Sequence, residues 1–274
     1  MSLKLINLGV EINHKPILKN INLEINDGDV VAIMGPNGHG KSTLLKSIMK
    51  HYDTTISQGE IKLDGEIIND LTTDEIARKG IYFAMQYPVE IPGLGMLELL
   101  RNEASKDENK VSVIELYKIV SKKLKDLNMN PDLLNRNINE NFSGGERKKN
   151  EILQMQVINP KYIMLDEIDS GLDIDAIDTI NQVLSQEKAN NKTIIYISHD
   201  NKLHSILKPN KVVLIINGEI VEIGDYTLAQ EINKIGYQNY AKSKGYKINE
   251  DQIENDDNFD LKATNKGFNC NGKN

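Results

Sequence analysis

Val30-Val31-Ala32-Ile33-Met34-Gly35-Pro36-Asn37-Gly38-His39-Gly40-Lys41-Ser42-Thr43 is the stretch that decides the fold. Its first five residues are all apolar, the pattern of a short strand buried on both faces, and they predict the start of a central parallel sheet. Behind them, Leu44, Leu45, Ile48 and Met49 recur at helical spacing between Ser42 and Lys50. The loop in between carries two fixed glycines, then Lys and Ser, which is the pattern of a phosphate-binding loop. The glycines let the backbone curl, so that the N–H groups of Gly35, Pro36's neighbours Asn37 and Gly38, His39, Gly40, Lys41, Ser42 and Thr43 surround phosphate oxygens, with the helix adding its positive N-terminal end. Lys41 is expected to bridge the β- and γ-phosphates and the Ser42 hydroxyl to hold Mg²⁺, making ATP and Mg²⁺ the expected cofactors. An ordinary Gly-rich turn would need none of the buried strand, helix and spacing found together here.

Outward from this unit the chain keeps an α/β rhythm. Lys4 to Ile12 and Ile17 to Ile25 alternate apolar and polar residues, as two half-buried antiparallel edge strands do. Gln58 to Ile68 reads as a hairpin turning at Asp64-Gly65, and Gly80 to Met85 as a second buried strand. Between Pro88 and Pro160 the strand signal fades. Helical spacing such as Val113, Leu116, Tyr117, Val120, Leu124 and Leu127 replaces it, which predicts an inserted helical subdomain over about 88–160. A strand Tyr162 to Leu165, a helix near Asp175 to Leu184, a strand Thr193 to Ile197 and a hairpin at Asn217-Gly218 follow, with the core closing around Ile223. One domain over 1–246 is expected, with 247–274 a disordered polar tail, because Asn, Asp, Glu and Lys dominate there.

Composition narrows the partners. A net charge of -7 argues against a nucleic-acid-binding face. Arg147-Lys148-Lys149 and Lys122-Lys123, placed on helices, read as solvated faces. Cys270 is the one cysteine, so no internal disulfide forms and a reducing compartment fits, the cytoplasm or a plastid-type stroma after removal of a leader. The apolar run Val212 to Ile216 is far shorter than the roughly 20 residues of a membrane helix, so no direct membrane insertion is expected.

Asp166-Glu167 ends the apolar run Tyr162 to Leu165. An acidic pair at a strand end is often just solvated, but downstream of a phosphate loop it suits Mg²⁺ at Asp166 and a general base at Glu167.

Asn141-Phe142-Ser143-Gly144-Gly145-Glu146-Arg147 resembles the signature motif of ABC ATPases, usually Leu-Ser-Gly-Gly-Gln. Ser143 caps and two glycines open a helix whose N-terminus can face a phosphate. The resemblance implies an ABC ATPase nucleotide-binding domain: a RecA-like mixed-sheet core, an antiparallel β subdomain and the inserted helical subdomain. It also implies that Ser143, Gly144 and Gly145 bind ATP held by a second copy of the chain. By the same resemblance Gln86 is the Q-loop glutamine near Mg²⁺ and the attacking water, Ser170 to Asp173 the D-loop, and His199 the histidine beside the γ-phosphate. His14 stands where the family often stacks the adenine on an aromatic ring, His39 where Ser is common, and Glu146 where Gln is usual.

Ala84-Met85-Gln86-Tyr87-Pro88-Val89-Glu90-Ile91-Pro92-Gly93 is similar to the Q-loop segment of the SufC family, the ATPases of Suf iron–sulfur cluster assembly. Asn141 to Met155, Asp166 to Ala176 and Gly224 to Leu228 agree with that family. The likeness implies soluble SufB- and SufD-like scaffold partners, reshaped when two ATPase subunits close on ATP. The alternative is the ATPase subunit of a membrane transporter. Tyr87 to Gly93, stiffened by two prolines, is where a partner is expected to meet the helical subdomain.

Overall fold

A computed structural model describes residues 2–104 and 112–249. The chain starts with β1 (Ser2–Ile12), β2 (Lys15–Asn26) and the wholly buried β3 (Val30–Met34). The phosphate-loop region leads into α1 (Lys41–Ile48), then β4 (Thr55–Leu63), β5 (Glu66–Ile67), α2 (Thr73–Arg78) and β6 (Ile81–Ala84). β4 and β5 form the hairpin at Asp64-Gly65, where both residues take the positive φ such a turn needs.

The antiparallel sheet has the order β2-β1-β4-β5. β1 is therefore not an edge strand, as its alternation suggested, but pairs on both sides, with β2 and with β4. Alternation reports which face is buried and says nothing of whether the ladder edge is covered.

Beyond β6, β7 (Ile91–Gly95) precedes α3 (Met96–Ala104) and α4 (Val113–Asp126), and β8 (Asn137–Ile138) precedes α5 (Gly144–Ile158). Within this helical stretch β7 and β8 pair as a small antiparallel sheet that the fading strand signal concealed. On α4, Leu116, Val120 and Leu124 are buried, as is Leu127 beyond it, whereas Val113 and Tyr117 from the same periodic set are exposed.

The second half brings β9 (Tyr162–Asp166), α6 (Ile174–Ala189), β10 (Thr193–Ile197), α7 (Asn201–Leu207), β11 (Lys211–Ile216) and β12 (Glu219–Gly224). The six-stranded sheet runs β12-β11-β3-β10-β9-β6, all parallel except the β11–β12 hairpin. Its two faces bury separate cores: Val31, Ile33, Met164 and Ile195 toward the antiparallel sheet, and Ala32, Met34, Leu165 and Ile194 toward the helices. Each apolar run is thus buried on both sides, which is why it shows no alternation.

The core does not close at Ile223, which is about half exposed. Two further helices, α8 (Tyr226–Ile235) and α9 (Tyr237–Lys244), add Leu228, Ala229, Ile232, Tyr240 and Ala241 to it. Of the expected tail, residues 247–249 are held: the Asn217 side chain donates to the Lys247 carbonyl and accepts from the Asn249 N–H. Residues from 250 on, Cys270 among them, lie outside the described residues.

Candidate nucleotide site

The carboxyl ends of parallel strands β3, β9 and β10 deliver the candidate residues to one place, the usual ligand position in such sheets. At Gly35, φ is +152° and an added Cβ would lie 2.1 Å from the Ile215 carbonyl, so only glycine fits between β3 and β11. Gly40, at φ +97°, opens α1 against Leu18. Lys41 is buried, and its ammonium donates to the Pro36 carbonyl at 3.0 Å and reaches Asn37 Oδ1 at 3.5 Å. The loop is thereby folded around its own lysine.

Ser42 Oγ donates to Asp166 Oδ1 at 2.9 Å. Burial pushes the Asp166 carboxyl up to about 6, against the pull of the Ser42 hydroxyl. A carboxylate so desolvated beside a hydroxyl gains when a cation arrives, so Ser42 and Asp166 suit a divalent ion.

Glu167 takes φ +48° at the end of β9, and its N–H donates to the Ile197 carbonyl of β10 at 3.1 Å. That local kink turns its side chain out of the sheet. Gln86 Nε2 donates to Glu167 Oε2 at 2.5 Å, and His199 Nε2 lies 3.5 Å from Glu167 Oε1. His199, with Lys41 and Gln86 also contributing, holds the Glu167 carboxyl below its usual range, so it is ionised at neutral pH. Ser198 Oγ donates to Asp169 Oδ2 at 2.7 Å, tying the turn after β9 to the segment carrying His199.

Lys148 does not lie on a solvated face. It is buried, and its ammonium donates to the Glu167 carbonyl at 2.6 Å, against the burial that lowers its pKa. A lysine run on a helix gave no sign that one of three faced inward. Arg147 turns to the Phe142 carbonyl and Glu90.

Ser143 caps α5. Its hydroxyl accepts from the Glu146 N–H while the Glu146 carboxylate accepts from the Ser143 N–H at 2.8 Å. Glu at this position closes a capping box that Gln would also close, and the bond to the Ser143 N–H draws the Glu146 carboxyl below its usual range. Ser143 and Gly144 are exposed, with open space where a Gly144 Cβ would point. The structure thus brings Lys41, Ser42, Gln86, Asp166, Glu167 and His199 together, and leaves Ser143 and Gly144 facing solvent with Gly145 half-buried against Leu172. His14 is exposed in the turn between β1 and β2, three residues before Ile17, whose side chain lies near Gly40.

A cleft of about 1180 Å³ opens on the far side of β6, lined by His51, Tyr52, Arg78, Phe83, Met85 and Lys161 among others. No helix among the described residues is long and apolar enough to cross a membrane.

A phosphate loop on a buried strand, with an acidic pair two strands away in the sheet, defines a nucleotide-hydrolysing cassette. The profile of the ABC transporter family matches residues 18–170. The chain belongs to this family and is an ATP-binding, ATP-hydrolysing ABC-type protein. It is 42% identical over 252 residues to a probable ABC transporter ATP-binding protein of Streptococcus pyogenes, covering 91% of this chain and 98% of that one. It is 43% identical over 241 residues, 86% of this chain and 96% of the other, to the probable ATP-dependent transporter ycf16 of Trieres chinensis. Among solved structures, a dimeric ATP-binding cassette in a post-hydrolysis state with ADP and Pi superposes with a TM-score of 0.71 at 28% identity, over 82% of this chain and 98% of that one.

Proposed function

We propose that this chain is the ATPase of a Suf-type iron–sulfur cluster assembly machine, working on SufB- and SufD-like scaffolds in the cytoplasm. The observation that carries the reading is the segment Ala84 to Gly93. It resembles the SufC Q-loop, and it presents Tyr87, Val89 and Ile91 to solvent directly after Gln86, which holds the candidate base. Pro88 is buried between them and stiffens the segment. A partner pressing on these apolar side chains would move Gln86 and with it the Glu167 carboxylate.

Phosphate-loop N–H groups and Lys41 would orient the ATP phosphates. Glu167, kept ionised by His199 and Gln86, would take the proton of the attacking water. Ser42 and Asp166, with Gln86 near, would hold Mg²⁺, which when bound neutralises charge between the phosphates. Ser143, Gly144 and Gly145, the first two exposed and the third half-buried at a helix N-terminus, fit a phosphate presented by a second copy. Similarity to a dimeric cassette supports this pairing.

The names of the curated relatives favour a second reading, the ATPase subunit of a membrane transporter. Affinity capture from native lysate separates the two. Recovery of SufB- and SufD-like scaffolds supports the first, and recovery of integral membrane proteins instead would sink it.

A further inference from the structure

His39 lies inside the phosphate loop, yet its side chain points away from solvent and is wholly buried. Its Nδ1 accepts from the Asn217 N–H at 2.8 Å. A neutral ring accepting at Nδ1 carries its proton on Nε2, which is buried without a partner. Burial, with Lys41 adding to it, disfavours the charged ring and so preserves the acceptor.

Asn217 is itself gripped. Its side chain donates to the Lys247 carbonyl at 2.6 Å and accepts from the Asn249 N–H at 3.1 Å, so residues 247–249 close over the β11–β12 turn. The turn is fixed underneath as well. A Gly218 Cβ would lie 1.9 Å from the Ile17 carbonyl, and the Lys19 N–H donates to the Gly218 carbonyl at 2.9 Å. At the other end of the loop, the Tyr237 hydroxyl on α9 lies toward the Gly35 N–H.

We infer that Asn217 and the segment 247–249 form a clasp that positions the phosphate loop through His39, so that the C-terminal segment sets nucleotide affinity from outside the site. This rests on the loop being the nucleotide site. His39 and Asn217 act as positioning residues: each hydrogen bond fixes a neighbour that fixes the loop backbone, whose N–H groups must already point inward before phosphate arrives. The φ of Asn217, +53°, is one that Asn and Gly adopt readily. Asn217→Gly therefore keeps the turn and the N–H to His39 while removing both clasp bonds. His39→Asn keeps an acceptor close to the position of Nδ1, and His39→Ala removes it.

The test is equilibrium titration of the full chain with a fluorescent N-methylanthraniloyl ATP in the presence of Mg²⁺. Asn217→Gly, which breaks the two outer bonds, is expected to weaken binding about fivefold, and His39→Ala, which breaks the one bond to the loop itself, about tenfold, while His39→Asn stays within about twofold. Unmodified affinity in Asn217→Gly, or in His39→Ala, would overturn the clasp. So would His39→Asn binding as weakly as His39→Ala. If His39→Ala does not fold, Asn217→Gly and His39→Asn carry the comparison. Lys41→Ala in the same titration tests the underlying reading separately, since undiminished binding there would mean that the loop is not the nucleotide site at all.

Discussion

The amide of Gln86 donates to the carboxylate of Glu167 at 2.5 Å, linking the end of β6 to the end of β9. With His199 at the other oxygen, the carboxylate is held from two sides and kept ionised. Gln86→Ala is expected to lower the ATP hydrolysis rate about tenfold, as one positioning hydrogen bond is lost. Steady-state phosphate release measures it, and an unchanged rate would mean that the contact is incidental.

Lys41→Ala removes the charge expected between the β- and γ-phosphates. ATP-dependent activity should fall to background. Normal steady-state hydrolysis by this variant would contradict the phosphate-loop assignment.

Gly35→Ala places a Cβ 2.1 Å from the Ile215 carbonyl at a φ of +152°. Backbone must move, and a loss of about 3 kcal/mol in unfolding free energy is expected. Urea denaturation checks it; a loss under about 1 kcal/mol would show that β3 and β11 yield easily.

Glu151 on α5 is buried against β6, where the Tyr82 hydroxyl donates to its carbonyl at 2.8 Å and the Met85 N–H faces its carboxyl. Burial pushes that carboxyl up to about 7 from an ordinary value of 4.5. Between these values the folded chain holds a proton that the unfolded chain has released. The group's favourable contribution is full below about 4.5 and is lost as pH rises through about 7. Glu151→Gln should therefore gain stability relative to the unmodified protein on going from pH 5 to pH 8, on the order of 2 kcal/mol. Equal gains at both pH values would contradict it.

Strand β3, the loop and α1 were legible because one local pattern carries all three: a buried run, glycines, then helical spacing. Motif order also pointed to Gln86, Asp166, Glu167 and His199: the fold sets Gln86 and His199 on either side of the Glu167 carboxylate and Asp166 against Ser42. What stayed hidden depends on partners distant in sequence. Lys148 looks like its neighbours until α5 is laid against the end of β9. β1 shows its buried face but not its second ladder partner, and β8 is two residues long. Ile223 marked the last strand, while the core continues through α8, where Leu228, Ala229, Ile232 and Ile235 at helical spacing were the available signal, and through α9, whose apolar residues are too sparse to announce it. Within the phosphate loop, His39 looked like a backbone contributor, and only the fold shows its ring bonded to Asn217.

Glu167→Gln tests the centre of the account most directly, because Gln matches Glu in shape and cannot accept the water's proton. Hydrolysis measured with ATP binding and sedimentation of the same sample should show nucleotide bound, turnover reduced at least about a hundredfold, and ATP-bound dimers accumulating. Hydrolysis at the unmodified rate would show that Glu167 is not the base.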